Sequence, residues 1–349
     1  MEQPATSALA AKLGLYTAPS RDFYDVIVIG AGPAGLACAL YCSTEGLRTV
    51  LVEREAAGGQ AGLSSRIENY LGFPSGLSGA DLARRGVAQV KRFGTELLAP
   101  ARATKLTADG EYRIVTLEDG KELVAHSVVI ASGVQWRLLD IPGMEPLTGA
   151  GVYYGAATTE ASSCEGEDVY IVGGANSAGQ AAVHFSEVAR SVTMLVRADS
   201  LSKSMSYYLS ERIKEIPNIV VIPNAEVARV DGDGRLSKIF IQRHDLKQLE
   251  ERNAGALFVF IGAEPHTQWL DGTLVRDNKG FLITGLNLLK GGKRPAEWKP
   301  QRDPYLLETS MPGVFAVGDV RDGAVRRVAN SVGEGSIVLY FIRQHMANR

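Results

Sequence analysis

The sequence contains little cysteine and has no excess of charge of one sign. Three cysteines among 349 residues are too few for a disulfide framework, so we expect reduced thiols and a cytoplasmic location. The formal net charge is −2, and lysines and arginines are scattered along the chain. The composition therefore predicts neither a nucleic-acid partner nor attraction to an anionic membrane.

Long hydrophobic runs, secretion signals and metal-binding spacings are also missing. Residues 26–44 carry no charge, but four glycine or proline residues between positions 30 and 35 would break a membrane-spanning helix. The amino terminus has an acid and a proline where a secretory signal needs basic residues before an apolar run. The five histidines form no cluster with cysteine, so we predict no metal site.

Glycine, in contrast, is abundant, and part of it belongs to an internal repeat. The chain has 38 glycines, where an average usage of about 7% gives roughly 24. Residues 25–32 are echoed by residues 168–175, and each copy is a β-branched apolar run that enters glycines. A helix pattern and a second apolar strand follow each copy, over 33–45 and 49–53 and over 177–190 and 192–197. Two such β-α-β units indicate two parallel-sheet nucleotide-binding domains.

The segments outside the repeat predict how the two domains are connected. Strands over 112–116 and 122–125 form an antiparallel hairpin, and a separate buried strand follows over 127–131. The predicted strand over 314–317 and the helix over 330–344 must become part of a sheet formed by earlier segments. We therefore predict an α/β fold with two Rossmann-like, three-layer ββα domains, the second inserted in the first. The predicted boundaries are an arm over 1–24, a first domain over 25–140 and 264–349, and a second domain over 141–263.

The first glycine motif fits a dinucleotide-binding turn. Gly30, Gly32 and Gly35 follow the G-x-G-x-x-G spacing between a strand and a helix. In this motif the glycines allow a tight turn, close approach of a pyrophosphate and close helix packing, and the phosphates rest on the helix N-terminus. Glu53 ends the next strand, where an acid binds ribose hydroxyls.

The second glycine motif is degraded. Gly173 and Gly174 are followed by Ala175 where the second glycine of the motif would stand. No acid ends the next strand, and Arg197 stands there instead. An arginine at this position accepts a ribose 2′-phosphate, which favours NADP over NAD, and Lys203 would assist. The alternative is a repeat that packs but binds no nucleotide.

The cysteines predict little thiol chemistry. Cys38 and Cys42 share one face of the first helix, but helix geometry holds their sulfur atoms apart, and we expect them to behave as small apolar side chains. Cys164 lies in a polar loop before the second repeat, so a reactive thiol at this position remains an alternative.

From Asp25 to Gln344 the chain resembles the low-molecular-weight thioredoxin reductase family of the class II pyridine nucleotide-disulfide oxidoreductases. Beyond the glycine turns, the resemblance rests on short segments at residues 58–60, 67–74, 131–133, 260–265, 318–320, 326–329 and 333–335. It implies an FAD-binding first domain, an NADPH-binding second domain with NADH less favoured, and a homodimer. The implied FAD contacts are Gly30, Gly32, Pro33, Ala34, Gly35, Glu53, Arg54, Gly59, Gln60, Asn69, Ala131, Ser132, Gly133, Gly318, Asp319, Arg327 and Val328. The implied NAD(P) contacts are Gly173, Gly174, Asn176, Ser177, Ala178, Arg197, Lys203 and Gly262.

The chain departs from the family at the redox centre. Thioredoxin reductases carry a C-x-x-C just inside the second domain, and Gly155 and Thr158 occupy those two cysteine positions here. A disulfide relay cannot run through these residues, so no catalytic side chain is identified. A Ser204-Met205-Ser206 helix start and an insertion over 290–305 also depart from the family pattern.

Four functions remain open on this basis. The first is an FAD enzyme that takes hydride from NAD(P)H onto flavin N5 and passes electrons directly to an unidentified small molecule or redox protein. The second is a ferredoxin- or quinone-linked NAD(P) reductase, although the chain ends directly after its last helix, where ferredoxin reductases of this fold carry an extension. The third is a thiol enzyme that uses Cys164. The fourth is a flavin-binding sensor or interaction module with little turnover.

Overall fold

The computed structural model describes residues 18–64, 67, 70–154, 161–296 and 298–348. The chain divides into two units. Unit 1 comprises Met1–Gln135 and Glu264–Arg349, and unit 2 comprises Trp136–Ala263.

The strands in the described residues are, in chain order, β1 (Tyr24–Ile29), β2 (Thr49–Val52), β3 (Glu96–Leu98), β4 (Ala103–Asp109), β5 (Tyr112–Leu117), β6 (Glu122–Ile130), β7 (Val134–Trp136), β8 (Val152–Tyr154), β9 (Asp168–Val172), β10 (Ser191–Val196), β11 (Ile219–Pro223), β12 (Ala225–Asp231), β13 (Lys238–Arg243), β14 (Gln248–Asn253), β15 (Ala256–Val259), β16 (Ala263–Pro265) and β17 (Val314–Ala316). The α-helices are α1 (Pro33–Thr44), α2 (Gly59–Gly62), α3 (Gly79–Arg92), α4 (Met144–Leu147), α5 (Asn176–Ser186), α6 (Tyr207–Glu215) and α7 (Val328–Ala347). Short 3-10 helices span Ala161–Cys164, Leu201–Lys203, Gln268–Leu270, Gly285–Leu288 and Gly318–Val320.

Unit 1 is built on a sheet in which β1, β2, β3, β6 and β17 run parallel. The strand order is β3-β2-β1-β6-β5-β4, and β17 also pairs with β6. The register joins Ile29 to Val52 and to Ile130, and Ile130 to Ala316. The carboxyl ends of four parallel strands therefore lie at one edge of the sheet, where open α/β sheets bind their ligands.

Strand β6 corrects one prediction, because it is a single strand and not a hairpin strand followed by a separate one. Its first half pairs antiparallel with β5, and exposed or half-buried side chains alternate there with buried ones. Its second half lies between β1 and β17, where the last four side chains, from Ser127 to Ile130, are all buried. In the sequence, this change from alternating to continuous apolar residues resembles the boundary between two separate strands.

The core of unit 1 lies on both faces of this sheet. In β1, Ile27 points into one hydrophobic cluster, whereas Val26 and Val28 point into the other, as the two-residue period of a strand requires. Helices α1 and α7 pack on the Val26 face, and Cys38 and Cys42 are fully buried in that cluster. The prediction that these two cysteines behave as buried apolar side chains is confirmed.

Unit 2 repeats the parallel arrangement. Its sheet has the order β11-β10-β9-β15-β8, and β12, β13 and β14 form a separate antiparallel sheet. Helix α5 ends at Ser186, earlier than the predicted residue 190. The reason is tertiary: the Ser186 carbonyl oxygen accepts from Asn218 Nδ2 (2.9 Å), 32 residues away. The Arg190 N–H, which would bond to that carbonyl in a longer helix, donates instead to the Glu167 carbonyl oxygen (2.9 Å).

The two parallel sheets with their helices and antiparallel layers confirm the predicted α/β fold class. No helix of the described ranges is both long and apolar enough to cross a membrane. Within the same ranges, no group of three or more His, Cys, Asp or Glu side chains is arranged to hold a metal ion.

Candidate functional site

The first glycine turn of unit 1 has room on one side only. Gly30 has a φ of +105°, and a Cβ there would lie 2.5 Å from the Ala131 carbonyl oxygen. A Cβ on Gly35 would lie 1.8 Å from the Gly30 carbonyl oxygen. At Gly32 the nearest atom would be 3.9 Å away. The turn is therefore closed against the sheet and open at Gly32.

Helix α1 begins at this open side. Gly32 is its N-cap residue, Pro33 is its first residue, and no side chain caps its first turn. Its amino-terminal N–H groups are thus left for an external acceptor, as in sites that bind a phosphate. A Cβ on Gly59 would lie 3.1 Å from Gly32 Cα, so α2 lies directly against the turn.

Glu53 lies at the end of β2 and is only 8% exposed. One of its carboxylate oxygens accepts from the Ala31 N–H (2.7 Å) and the other accepts from the Glu55 N–H (2.9 Å). These bonds fix the carboxylate beside the glycine turn. Both oxygens keep further lone pairs, which is the requirement for an acid that binds ribose hydroxyls.

A cavity of about 330 Å³ opens beside Glu53. Its lining residues are Ile29, Gly30, Val52, Glu53, Arg54, Ala101, Arg102, Ala103, Thr104, Ser132, His266, Gln268 and Trp269. A cavity next to an acid and an uncapped helix N-terminus fits the adenosine end of a dinucleotide. The residues present therefore fit FAD.

The wall formed by Arg54 and His266 was not predicted as a pair. Each terminal nitrogen of the Arg54 guanidinium lies 3.1 Å from one imidazole nitrogen of His266, and Ser132 Oγ donates to the His266 carbonyl oxygen (3.0 Å). Burial, and then the charge of Arg54, lower the pKa of His266. The lowered pKa favours the neutral imidazole, whose planar ring lines the cavity together with the Arg54 guanidinium.

The Gly318-Asp319 turn follows β17 and is held by Glu334 of α7. One Glu334 carboxylate oxygen accepts from the Gly318 N–H (2.8 Å), and the other accepts from Arg321 Nη2 (2.6 Å) and from Asn330 Nδ2 (3.2 Å). Burial raises the pKa of Asp319, and the Glu334 charge adds to this effect. In the sequence, Glu334 is only part of a segment that resembles the family, and the structure shows that it positions the turn.

Replacement of Glu334 by glutamine tests that role. We expect the Glu334→Gln variant to bind FAD about tenfold more weakly, because a charge-assisted contact worth about 1.5–3 kcal/mol is lost at the turn. The measurement is FAD titration of the apoprotein, followed by flavin fluorescence. Glu45→Gln is the matched control, because the Glu45–Arg343 pair (2.7 Å) also joins α7 to its neighbour but is half exposed. Equal FAD affinity in both variants would contradict the assignment.

Other predicted FAD contacts converge on the same edge of the sheet. A Cβ on Gly318 would lie 2.9 Å from Ala34 Cβ, so the turns after β1 and β17 touch. Ala131 and Ser132 follow β6 beside Gly30, and Gly133 continues that turn with a φ of +63°. The remaining residues have separate positions: Gln60 is exposed on α2, Arg327 is the exposed N-cap of α7, Val328 is its first residue, and Asn69 lies outside the described residues.

The second glycine turn, in unit 2, has a similar backbone. Gly173 has a φ of +140°, and a Cβ there would lie 2.6 Å from the Phe260 carbonyl oxygen. Ala175 is the N-cap of α5, and no side chain caps the helix. The next residues are Asn176, Ser177 and the buried Ala178, while Gly262 follows the neighbouring strand with a φ of +102°.

A serine-rich segment is bonded to this second turn. Ser204 Oγ donates to the Gly174 carbonyl oxygen (2.7 Å), and the Ser206 N–H donates to Asn176 Oδ1 (2.8 Å). Helix α6 begins at Tyr207 with Ser206 as its N-cap, so residues 204–206 precede the helix. Arg197 follows β10 and is exposed, whereas Lys203 donates to Asp199 Oδ2 (2.9 Å).

The cysteines show no accessible thiol. Cys164 is only 1% exposed and belongs to the hydrophobic cluster around α5, so its description as a polar-loop residue was wrong. Contacts with the apolar side chains of that cluster, which are distant in the sequence, account for its burial. Cys38 and Cys42 have their sulfur atoms 4.0 Å apart. Gly155 and Thr158 lie outside the described residues.

Comparisons with known proteins match this geometry. The model of the family described as pyridine nucleotide-disulphide oxidoreductase matches residues 24–335. A thioredoxin reductase of Peptoclostridium acidaminophilum is 30% identical over 91% of this chain and 95% of its own length. A solved thioredoxin reductase structure from Streptococcus pyogenes MGAS5005 is 28% identical with a TM-score of 0.83, over 95% of this chain and 100% of that one.

A longer relative matches as well. An NADH dehydrogenase of Ferdinandcohnia aciditolerans is 31% identical over 90% of this chain, and the match spans 56% of that relative's length. The chain therefore spans little more than half of that relative.

Proposed function

The chain belongs to the pyridine nucleotide-disulphide oxidoreductase family, and on that premise we propose that it is an FAD-dependent oxidoreductase that transfers electrons from NAD(P)H directly to an acceptor, without a C-x-x-C relay. FAD, when bound, supplies the redox chemistry by accepting a hydride and releasing electrons. The protein supplies binding, orientation and electrostatics.

The observation that carries the proposal is the convergence of three turns at one edge of the unit 1 sheet. The Gly32 turn offers uncapped N–H groups, and Glu53 offers a fixed carboxylate. Asp319 offers a half-buried carboxylate in the turn that Glu334 holds. These three groups suit the pyrophosphate, the adenine-side ribose and the polyol chain of FAD, respectively.

The cysteines support the absence of a relay. All three cysteines in the sequence are buried, and the only neighbouring pair, Cys38 and Cys42, lies in the core behind the glycine turn. A thiol relay needs an accessible thiolate, but the hydrogen bond with Cys42, and then burial, raise the pKa of Cys38. We therefore assign the electron transfer to the flavin alone, with a small molecule or a redox protein as acceptor.

The decisive experiment is anaerobic stopped-flow mixing of the purified yellow protein with NADPH and, in parallel, with NADH. We expect the flavin absorbance band to bleach, and to return when a quinone, ferredoxin or oxygen is added. The Cys164→Ser variant should behave like the wild type. If neither nucleotide bleaches the band while FAD remains tightly bound, the protein is a flavin-binding module and the proposal is wrong.

A further inference from the structure

We propose that Asp199 is a specificity-determining residue of the second nucleotide site, where its carboxylate weakens the binding of NADPH relative to NADH. This inference rests on the proposed function, because it assumes that unit 2 binds a pyridine nucleotide. It opposes the expectation, drawn from Arg197 and Lys203, that the site simply prefers NADPH.

The two cations near the end of β10 differ in their contacts: Arg197 has no ion-pair partner among the described residues, whereas Lys203 is paired with Asp199. Arg197 is exposed and makes no hydrogen bond or ion pair with the other described residues. Lys203, the second cation of the predicted phosphate patch, donates to Asp199 Oδ2 at 2.9 Å, and Ser200 Oγ donates to Asp199 Oδ1 at 3.2 Å. Asp199 therefore occupies one of the two cations that would bind a 2′-phosphate.

The segment that carries this ion pair is hydrogen-bonded to the second glycine turn. It runs on to Ser206 and makes two hydrogen bonds with the turn. The Ser204 hydroxyl donates to the Gly174 carbonyl oxygen, and the Ser206 N–H donates to the Asn176 side chain. A Cβ on Gly174 would also lie 3.3 Å from Ser204 Oγ and 2.9 Å from Val196 Cγ1. The Asp199–Lys203 pair is consequently held beside the strand end that selects between the two nucleotides in Rossmann folds.

NADPH differs from NADH by one phosphate that carries roughly two negative charges at neutral pH. Asp199 acts on that phosphate in two ways, because it neutralises Lys203 and adds a negative charge of its own. Repulsion built against one ligand is a common source of specificity. NADH lacks the phosphate, so its binding is nearly independent of Asp199.

The test is the Asp199→Asn variant, studied as holoprotein. We expect the Kd for NADPH to fall about fivefold and the Kd for NADH to change less than twofold, the range that removal of an exposed charge produces. Isothermal titration calorimetry measures both constants. The NADPH gain should shrink at high salt, where exposed charges are screened.

Two further variants serve as controls. Glu211→Gln removes an equally negative side chain from another exposed pair of unit 2, Glu211–Lys214 (2.7 Å), and should leave the ratio of the two Kd values unchanged. Asp199→Glu keeps the charge and should behave like the wild type.

Three results would overturn the inference. An unchanged ratio in Asp199→Asn would remove the role of Asp199 while leaving the proposed function intact. Equal tightening of both nucleotides, in Asp199→Asn and in Glu211→Gln alike, would show a general effect of net charge. If the wild-type protein binds neither nucleotide, the inference and the proposed function are both wrong.

Discussion

The Gly335→Ala variant is expected to lose about 3 kcal/mol of unfolding free energy and to retain little FAD, whereas Gly333→Ala, in the same helix, gains about 0.5–1 kcal/mol. A Cβ on Gly335 would lie 2.2 Å from the Ala34 carbonyl oxygen and 3.0 Å from Ala37 Cβ. A Cβ on Gly333 would meet no atom within 4 Å. The two substitutions are chemically identical and differ only in the space around them.

The Gly335 contact is also relevant to function. Ala34 lies in the first turn of α1, directly after the predicted phosphate-binding glycines. A side chain on Gly335 would push α7 away from this turn, and the Gly318-Asp319 turn would move with the helix because Glu334 bonds to Gly318. Loss of packing and loss of FAD should therefore occur together.

Urea unfolding and the ratio of flavin to protein absorbance measure the two effects. The prediction fails if Gly335→Ala and Gly333→Ala have the same midpoint. A large loss of stability with full FAD retention would show that α1 and α7 can separate without disturbing the cofactor site.

Removal of Glu308 should destabilise the protein by about 3–5 kcal/mol, the range observed when one member of a buried ion pair is removed. Its carboxylate is completely buried. It accepts from Arg302 Nη1 (2.6 Å), Arg302 Nη2 (2.9 Å), the Tyr305 N–H (2.9 Å) and the Gly313 N–H (2.9 Å). In Glu308→Ala these four donors lose their acceptor together.

A matched control lies in the 290–305 insertion, which also carries Arg302, the ion-pair partner of Glu308. Asp303 pairs with Arg294 (2.6 Å), but both side chains are substantially exposed, so Asp303→Ala should cost no more than about 1 kcal/mol. Chemical unfolding of both variants gives the comparison. Similar losses would mean that the buried pair contributes no more than the exposed one.

The glycine turns and the parallel strands could be predicted because their signals are local. A run such as residues 25–32 contains the strand, the turn and the start of the helix in adjacent positions, and the Gly30 backbone needs a conformation that favours glycine. The acid at Glu53 follows from the fixed length of one β-α-β unit. The fold class and the positions of the glycine turns were accessible for this reason.

The pairings that complete the site could not be predicted, because they join distant segments. Arg54 and His266 are 212 residues apart in the chain, and no spacing rule connects them. Glu334 and Glu308 resemble ordinary acids in the sequence, and only tertiary structure shows that each accepts from the backbone N–H of a glycine. The burial of Cys164 likewise depends on α5 and not on its neighbours in the chain.

The position of β17 has a consequence for the order in which the protein is made. Strand β6 pairs in parallel with residues 314–316 of β17. All of unit 2, residues 136–263, lies between these two strands in the chain. During synthesis on the ribosome, unit 2 is therefore complete while the unit 1 sheet still exposes one apolar edge. Because domains generally fold as units as they emerge, the inserted unit can finish folding first, and unit 1 closes last, when α7 arrives.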